Sequence, residues 1–495
     1  MRVTVDGRPT DVPEGSRLLD AIRASGAEIA ALCADPRLAP YGSCRTCMVA
    51  LEGSDEPVAA CTTPAREGAA LRTDDPGARK TARQSLQLLA STLPARALDV
   101  ESRPTELARA CELLGLEPAS FRGDGGSRPD ARDGSNPYVK YDPELCIACA
   151  RCVRMCDEVQ GTFALAMVGR GSDTVLMPGT GGPWSESDCV SCGACVSSCP
   201  SGAISEPGLL DPRPVERTTT TTCGYCGVGC SLDVHTRDNE VAAITPTLDA
   251  PVNRGHACVK GRFAHGFVRS PDRLTTPLVR RDGELVEAGW DDALGLIGSE
   301  LDRIRDRYGP DAIAAISSAR GTNEENYLMQ KLMRVAIGTN NVDNCARICH
   351  APSAAGLVAS FGLSGGTNPF EDFDRAGVFL LAGSNPTEAH PVVGARIKQR
   401  VIQGARLVVV DPRRTELADY ADVHLQPRPG TNVALFNGLA AVLIEERLTD
   451  DEFIRERTEG FEALAELASD YPLQRVAEVC GVPAEDVRRA ARLYG

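Results

Sequence analysis

The residues with the clearest chemistry in this sequence are its twenty cysteines, sixteen of which fall into four sets. Cys33, Cys44, Cys47 and Cys61 follow C-x10-C-x2-C-x13-C. Cys146, Cys149, Cys152 and Cys156 follow C-x2-C-x2-C-x3-C, and the run recurs at Cys189, Cys192, Cys195 and Cys199 with a proline behind it. Cys223, Cys226 and Cys230 stand close together, and Cys258 follows after a 27-residue gap. Soft thiolates at such spacings select iron–sulfur clusters or zinc; disulfides would need a small, exported chain. A four-cysteine zinc site is the alternative for the first set, and a zinc knuckle for the last. The doubled run is the pattern of paired [4Fe–4S] clusters, in which the fourth cysteine of each run ligates the other cluster. It gives one cube to Cys146, Cys149, Cys152 and Cys199, and the other to Cys189, Cys192, Cys195 and Cys156.

A fifth feature lies well past the last set, at Asn344–His350, reading NCARICH. A soft thiolate there can hold a metal, and a histidine beside it exchanges a proton near neutral pH. The plainer alternative is two half-buried cysteines on one helix face followed by a capping histidine. That packing role is the expectation for Cys345, and for Cys111 and Cys480.

These residues need elements to position them. MRVTVDGRPTDV alternates like a strand with a turn at Asp6-Gly7, and SRLLDAIRASG reads as a helix, so the first set sits in a β-grasp ferredoxin domain over 1–78. Gly42 lets the chain wrap closely before Cys44, and Gly224, Gly227 and Gly229 do so in the last set. TARQSLQLLASTL and TELARACELLGL show helical spacing, and RGDGGSRPDARDGSNP (122–137) reads as a polar linker, giving a helical segment and linker over 79–137. A two-[4Fe–4S] domain of bacterial-ferredoxin type covers 138–208, with GRGSDTVLMPGTGGP (169–183) as a flexible excursion between its halves. A small [4Fe–4S] domain covers 216–272. Beyond it, AIAAIS, VFLLAGSNP and RLVVVDPRR alternate with helical stretches such as ENYLMQKLMRVAIG, which implies a parallel α/β domain over 273–495. Ligands of such sheets sit outside the strand carboxyl ends, so the loops SNP, DPRR and RPGTN are candidate nucleotide contacts. No G-x-G-x-x-G occurs. The fold class is therefore multidomain, α+β followed by α/β.

Composition narrows the function classes. A formal net charge of −15 argues against a nucleic-acid binder. No apolar run reaches the length of a membrane span, and the N-terminus carries no basic or apolar export segment, so the expected location is the cytoplasm.

Taken in order, the ferredoxin-like clusters, then CGYCGVGC…CVKGR, then the loops SNP, DPRR and GTN resemble the molybdopterin oxidoreductase superfamily. Within it, SARGTNEENYLMQKLMRVAIGTNNVDNCARICHAPSAAGL is similar to the catalytic subunit of formate dehydrogenases, and the N-terminal domain resembles the [2Fe–2S] domain of NAD-linked formate dehydrogenases and NADH dehydrogenases. The resemblance implies Cys349 as the protein ligand of molybdenum or tungsten and His350 beside that metal. It implies a bis-molybdopterin guanine dinucleotide cofactor contacted by Asn385, Asp411, Arg413, Gly430 and Asn432. Lys260 would bridge that cofactor to the Cys223 cluster, and His390 and His424 would be structural. One [2Fe–2S] and three [4Fe–4S] clusters would carry electrons from formate, leaving CO2, to a flavin- and NAD-binding partner subunit of the NADH-dehydrogenase kind. The alternatives are the large iron–sulfur subunit of an NADH dehydrogenase, or an electron-transfer module without a working pterin site.

Two departures from the family pattern stand out. Relatives often carry a histidine-plus-three-cysteine cluster between the [2Fe–2S] domain and the cubes, where this chain has only Cys111, so a gap is expected in the route unless the fold closes it. The chain also reads as C-terminally truncated: the second half of the pterin site and a formate-binding arginine are expected on a completing segment or another chain.

Overall fold

The computed structural model describes residues 1–101, 104–117, 132–206, 208–209 and 211–495. They form two compact units, one made of 1–263 with 373–495 and the other of 264–372, so the segment 273–495 contributes to both.

The first unit begins with a five-stranded mixed sheet. Ala70–Arg72 is central, parallel to Arg2–Val5 and antiparallel to Met48–Leu51, and Arg8–Asp11 and Val58–Ala59 form the two edges. Helix Leu18–Ser25 buries Leu18, Leu19, Ala21 and Ile22 against Val3, Val5, Val49 and Leu71. This is the β-grasp arrangement, and it leaves the Cys33–Cys47 loop free of regular structure to fold around its own cysteines. Two helices follow, Pro76–Ala90, capped by Asp75, and Glu106–Leu113, capped by Thr105.

The repeated cysteine runs share a small layer closed by antiparallel pairing of Lys140–Tyr141 with Ile204–Ser205. The segment 169–183 corrects its sequence reading. Val175–Pro178 pairs with Leu165–Val168 as a hairpin, because Leu165 and Leu176 both bury into the core that holds the cysteines. Most of the expected linker, 122–131, lies outside the described residues. Its end is built in, with Asp133 bridging Tyr141 and Asn136 buried. Next comes a three-stranded antiparallel sheet, Arg217–Thr222, Ser231–Arg237 and Glu240–Pro246, with a short helix Val259–Phe263. Residues 373–495 add a parallel sheet in the order Val378–Ala382, Arg406–Val410, Val423–Leu425. Helix Pro391–Ile402 crosses between its first two strands, and helices Asn432–Glu445, Leu473–Cys480 and Ala484–Tyr494 cover it.

The second unit has its own parallel pair, Ala315–Ser317 with Val342–Asn344. The α/β segment therefore carries two short parallel sheets. Helix Trp290–Tyr308 and helix Asn323–Lys331 flank the pair; the latter starts in a reciprocal capping box between Thr322 and Glu325. Ile313, Met333 and Ile337 make its small core. No helix among the described residues is long and apolar enough to cross a membrane.

Candidate functional site

The N-terminal thiols converge. Cys33, Cys44, Cys47 and Cys61 are all buried. Hydrogen bonds from Cys44 and Cys61 hold Cys33 far below an ordinary thiol, while Cys44 and Cys61 are pushed up by sharing protons with it. Cys61 also lowers Cys47 to about 7. Thiols gathered this closely can give up their protons to a metal that binds among them. Buried Thr46 orients the loop, its hydroxyl 3.2 Å from Cys44 Sγ and accepting from Leu32 N. Gly42 has φ +72°, and a Cβ there would meet Thr62 Cγ2 at 2.8 Å, so glycine brings the Cys44 loop against the Cys61 turn.

In the repeated runs the thiols of Cys149 and Cys152 lie in the field of Cys146 and Cys199, and those of Cys156 and Cys195 in the field of Cys189 and Cys192. Burial dominates their titration, pushing Cys149 and Cys156 to about 12 and Cys192 to about 11. Neutral thiols in such a place become thiolates only when a metal's charge compensates them. The backbone is shaped for that. Ala148, Ala150 and Ser191 hold left-handed φ of 53°, 58° and 53° although none is glycine, a strain of roughly 1 kcal/mol each. The resulting turns aim amides at sulfur, Ala148 N donating to Cys146 Sγ and Ser191 N to Cys189 Sγ at 3.4 Å, and later segments add Ala164 N to Cys156 Sγ at 3.2 Å and Ile204 N to Cys199 Sγ at 3.4 Å. Amide donors toward sulfur suit iron–sulfur ligation.

Across the gap expected between the first set and the cubes, the fold runs one continuous core. Cys33 and Cys44 belong to the same continuous core as Cys146, Cys152 and Cys195, with Cys111 buried among them and its thiol raised to about 11 by that burial.

Cys223, Cys226, Cys230 and Cys258 line one pocket together with Lys260, Gly261, Pro391 and Val392. Burial pushes Cys230 to about 12, and the other three thiols add to the shift. Lys260 Nζ donates to Glu388 O at 3.1 Å, which ties this loop to the loop after strand Val378–Ala382. The candidate cofactor contacts gather along that edge. Asn385 follows the first strand, Asp411 and Arg413 the second, and Gly430 and Asn432 the third, all at carboxyl ends of one parallel sheet. Asp411 is held in a turn, its Oδ1 accepting from Arg413 N at 2.8 Å and its carbonyl lying 2.9 Å from His424 Nε2. Asn385 Nδ2 is buried without a protein partner. A buried orphan donor costs about 1–3 kcal/mol, so a ligand oxygen there would be favoured. Asn432 begins helix Asn432–Glu445.

Cys349 and His350 lie in the other unit. Asn344 ends the strand, its Nδ2 donating to Ser317 Oγ and Asn326 Oδ1, and its Oδ1 accepting from Ala346 N. The short helix Ala346–Cys349 follows, so Cys349 and His350 stand just beyond a strand carboxyl end, and both are exposed. Cys345 differs from its packing assignment. It is exposed, and its sulfur accepts from Ala319 N at 3.2 Å because the turn after the strand directs it sideways to the adjacent loop. Cys480 is fully buried in the core over the first unit's parallel sheet.

Sequence reasoning passed over two buried arginines. Arg151 is 3% exposed and Arg262 1%. The usable signal was position: Arg151 lies inside a ligand loop, between Cys149 and Cys152, where a long charged side chain is costly unless it is fully paired.

Family profiles match in four places: Molybdopterin oxidoreductase over 273–476, Molybdopterin oxidoreductase Fe4S4 domain over 216–270, 2Fe-2S iron-sulfur cluster binding domain over 1–76, and 4Fe-4S binding domain over 183–205. The protein named "Probable oxidoreductase YjgC" from Bacillus subtilis is 33% identical over 536 residues, which is 100% of this chain and 54% of the relative. "Putative formate dehydrogenase SH0748" from Staphylococcus haemolyticus is 33% identical over 98% of this chain and 53% of its own length. The chain thus spans about half the length of the curated relatives it matches. Acetylene hydratase from Pelobacter acetylenicus aligns over 55% of this chain and 38% of its own, with 28% identity and a TM-score of 0.46. An NAD+-reducing [NiFe]-hydrogenase chain aligns over 44% of this chain and 91% of its own, with 24% identity and a TM-score of 0.37. The profile matches fall on the segments that carry the cysteine sets and the strand-end loops, and the chain belongs to the molybdopterin oxidoreductase family, with its Fe4S4 domain joined to 2Fe-2S and 4Fe-4S binding domains.

Proposed function

We propose that this oxidoreductase chain is the catalytic subunit of a formate dehydrogenase. The observation that carries the reading is the Lys260–Glu388 contact, which sets the Cys223 pocket against a strand-end loop of a molybdopterin-type sheet. Formate as substrate is supported by the relative named for that activity and by the Cys349–His350 pair. Asn385, Asp411, Arg413, Gly430 and Asn432 would hold the guanine dinucleotide arms of a bis-pterin cofactor, and the Cys349 thiolate its molybdenum or tungsten. When bound, that centre supplies two-electron acceptance. Formate gives CO2, one proton and two electrons; His350 takes the proton, and Lys260 balances anionic charge between the cofactor and the nearest cysteine set. The four sets would hold one [2Fe–2S] and three [4Fe–4S] clusters, which would supply one-electron relays toward a flavin- and NAD-binding subunit.

A second reading, an electron-transfer module without a pterin-bound metal, is favoured by the exposure of Cys349 and His350. Cys349→Ser in the native holoenzyme separates the two. Loss of formate-dependent dye reduction, together with loss of the Cys349-dependent molybdenum or tungsten signal at unchanged iron content, supports the first. Iron without either metal in the unaltered protein, or activity that survives the substitution, refutes it.

A further inference from the structure

We propose that Arg151 and Arg262 are the positioning residues of the relay, each joining the ligand loops of two successive cysteine sets and keeping one N–H for the sulfur ligands beside it. Arg151 lies between Cys149 and Cys152. Its Nη1 donates to Ser198 O, next to Cys199, at 3.0 Å and to both carboxylate oxygens of Glu106 at 2.8 and 2.9 Å. Its Nη2 reaches Ala31 O at 3.3 Å and Ala34 O, on either side of Cys33. Arg262 repeats the device at the other end. Four residues after Cys258, its Nη1 donates to Gly193 O at 2.7 Å and to Ser197 Oγ, within the Cys192–Cys199 loop, while Nε pairs with Glu206 at 3.1 Å. In both side chains one buried nitrogen is left without a protein partner, Nε of Arg151 and Nη2 of Arg262. Arg151 stands two residues from Cys149 and one from Cys152, and Arg262 reaches into the loop that carries Cys192 and Cys195.

The middle junction needs no arginine, because Cys199 and Cys156 cross between the two repeated runs. The four sets therefore stand in one series, Cys33 to Cys146 to Cys189 to Cys223, with a direct protein link at each step. Hydrogen bonds to sulfur, local charge and burial set the potentials of such sites. A buried cation stabilises an added electron next to it and raises the potential. The two arginines differ in how far their partners cancel that effect. Glu206 is 8% exposed and sits in the same dry site as Arg262, whereas Glu106 is 54% exposed and screened by water, and buried Asp35, which also faces Arg151, is paired with Arg37 at 2.7 Å. Arg151 thus carries the larger electrostatic share, and Arg262 the more mechanical one.

This inference rests on the cluster assignment within the proposed function and is independent of formate as substrate. The test is a dithionite titration of the native holoenzyme followed by electron paramagnetic resonance, with iron content measured in parallel. Arg151→Met is expected to keep its iron and to lower the potential of one [4Fe–4S] signal by on the order of tenfold in the reduction equilibrium, about 59 mV for one electron. It should also weaken the magnetic interaction between that signal and the [2Fe–2S] signal. Arg151→Lys should recover the potential, since it keeps the charge, while the interaction stays weakened because the fork to Ala31 and Ala34 is lost. Arg262→Met should shift potentials less than Arg151→Met. Unchanged potentials and interaction in Arg151→Met with iron intact would overturn the proposal. If Arg151→Met fails to load iron, Arg151→Lys decides alone: an unweakened interaction overturns it. Absence of [2Fe–2S] and [4Fe–4S] signals from the unaltered protein would instead refute the cluster assignment beneath it.

Discussion

Gly394 sits in the helix Pro391–Ile402, where replacing glycine by alanine ordinarily stabilises by about 0.5–1 kcal/mol. Here the surroundings reverse the sign. A Cβ at 394 would lie 2.7 Å from Thr387 N and Cα and 2.9 Å from Pro386 C, about 0.7 Å short of ordinary contact. These are backbone atoms, so no rotamer change relieves the clash, and overpacking of this kind costs roughly 1–3 kcal/mol. Net destabilisation of about 1–2 kcal/mol is expected for Gly394→Ala. The displaced segment carries Asn385 on one side and the Glu388 carbonyl that receives Lys260 on the other. The proposed cofactor contact should therefore suffer before the iron sites do. Measured as metal per chain, iron should hold while molybdenum or tungsten falls several-fold, with a thermal midpoint a few degrees lower. Gly295→Ala and Gly298→Ala are the controls: both lie in helix Trp290–Tyr308 with nothing within 4 Å of the added Cβ, and each should stabilise by about 0.5–1 kcal/mol. A Gly394→Ala protein as stable as its parent with full molybdenum or tungsten would refute the close-approach argument.

Two further outcomes follow from the same geometry. Cys199→Ser should remove about four iron atoms per chain and the signal of the Cys146, Cys149, Cys152 site, leaving the Cys189 site intact; loss of the Cys189 signal instead would mean that the runs are not interleaved. Asp211 is held at about 2 chiefly by the side-chain hydrogen bond from Arg213, with Arg237 nearby. Its folded pKa lies below the unfolded value near 3.9, so its stabilisation is present above that value and is lost as pH falls through about 2. Between those limits, hydrogen-exchange protection of strand Ser231–Arg237 should fall more steeply in the parent than in Asp211→Asn, and equal slopes would refute the assignment.

What the sequence made legible was what local spacing encodes. Most thiols that the structure brings together have separations of two to ten residues, which let one loop surround a cluster; Cys61 and Cys258 join from 13 and 27 residues further on, and the crossed fourth cysteines are those that the repeat itself implies. The strand-end loops were readable for a similar reason, since each follows a short apolar run directly. The excursion at 169–183 was misread because its glycines and polar residues look like a loop; the pairing that makes it a hairpin depends on Leu165 and Leu176 finding a core elsewhere. Cys345 was misread by the opposite error, an apolar residue type assumed to be buried in a unit with little core of its own.

The arginines and Gly394 show why further residues of the site escaped. Each matters through a partner that its neighbours in the chain do not announce: Arg151 through Ala34 and Arg262 through Gly193, 117 and 69 residues away, and Gly394 through a turn that packs on its bare face. Gly193 makes the point in one position. It has φ +72°, and a Cβ there would meet Arg262 Cδ and Nε at 2.6 Å, whereas the corresponding residue of the first run is Ala150 at φ 58°. The left-handed turn alone therefore does not demand glycine in this motif. What demands it is the buried cation lying across the second loop, and the two runs, alike in their ligands, differ where each meets the next cysteine set.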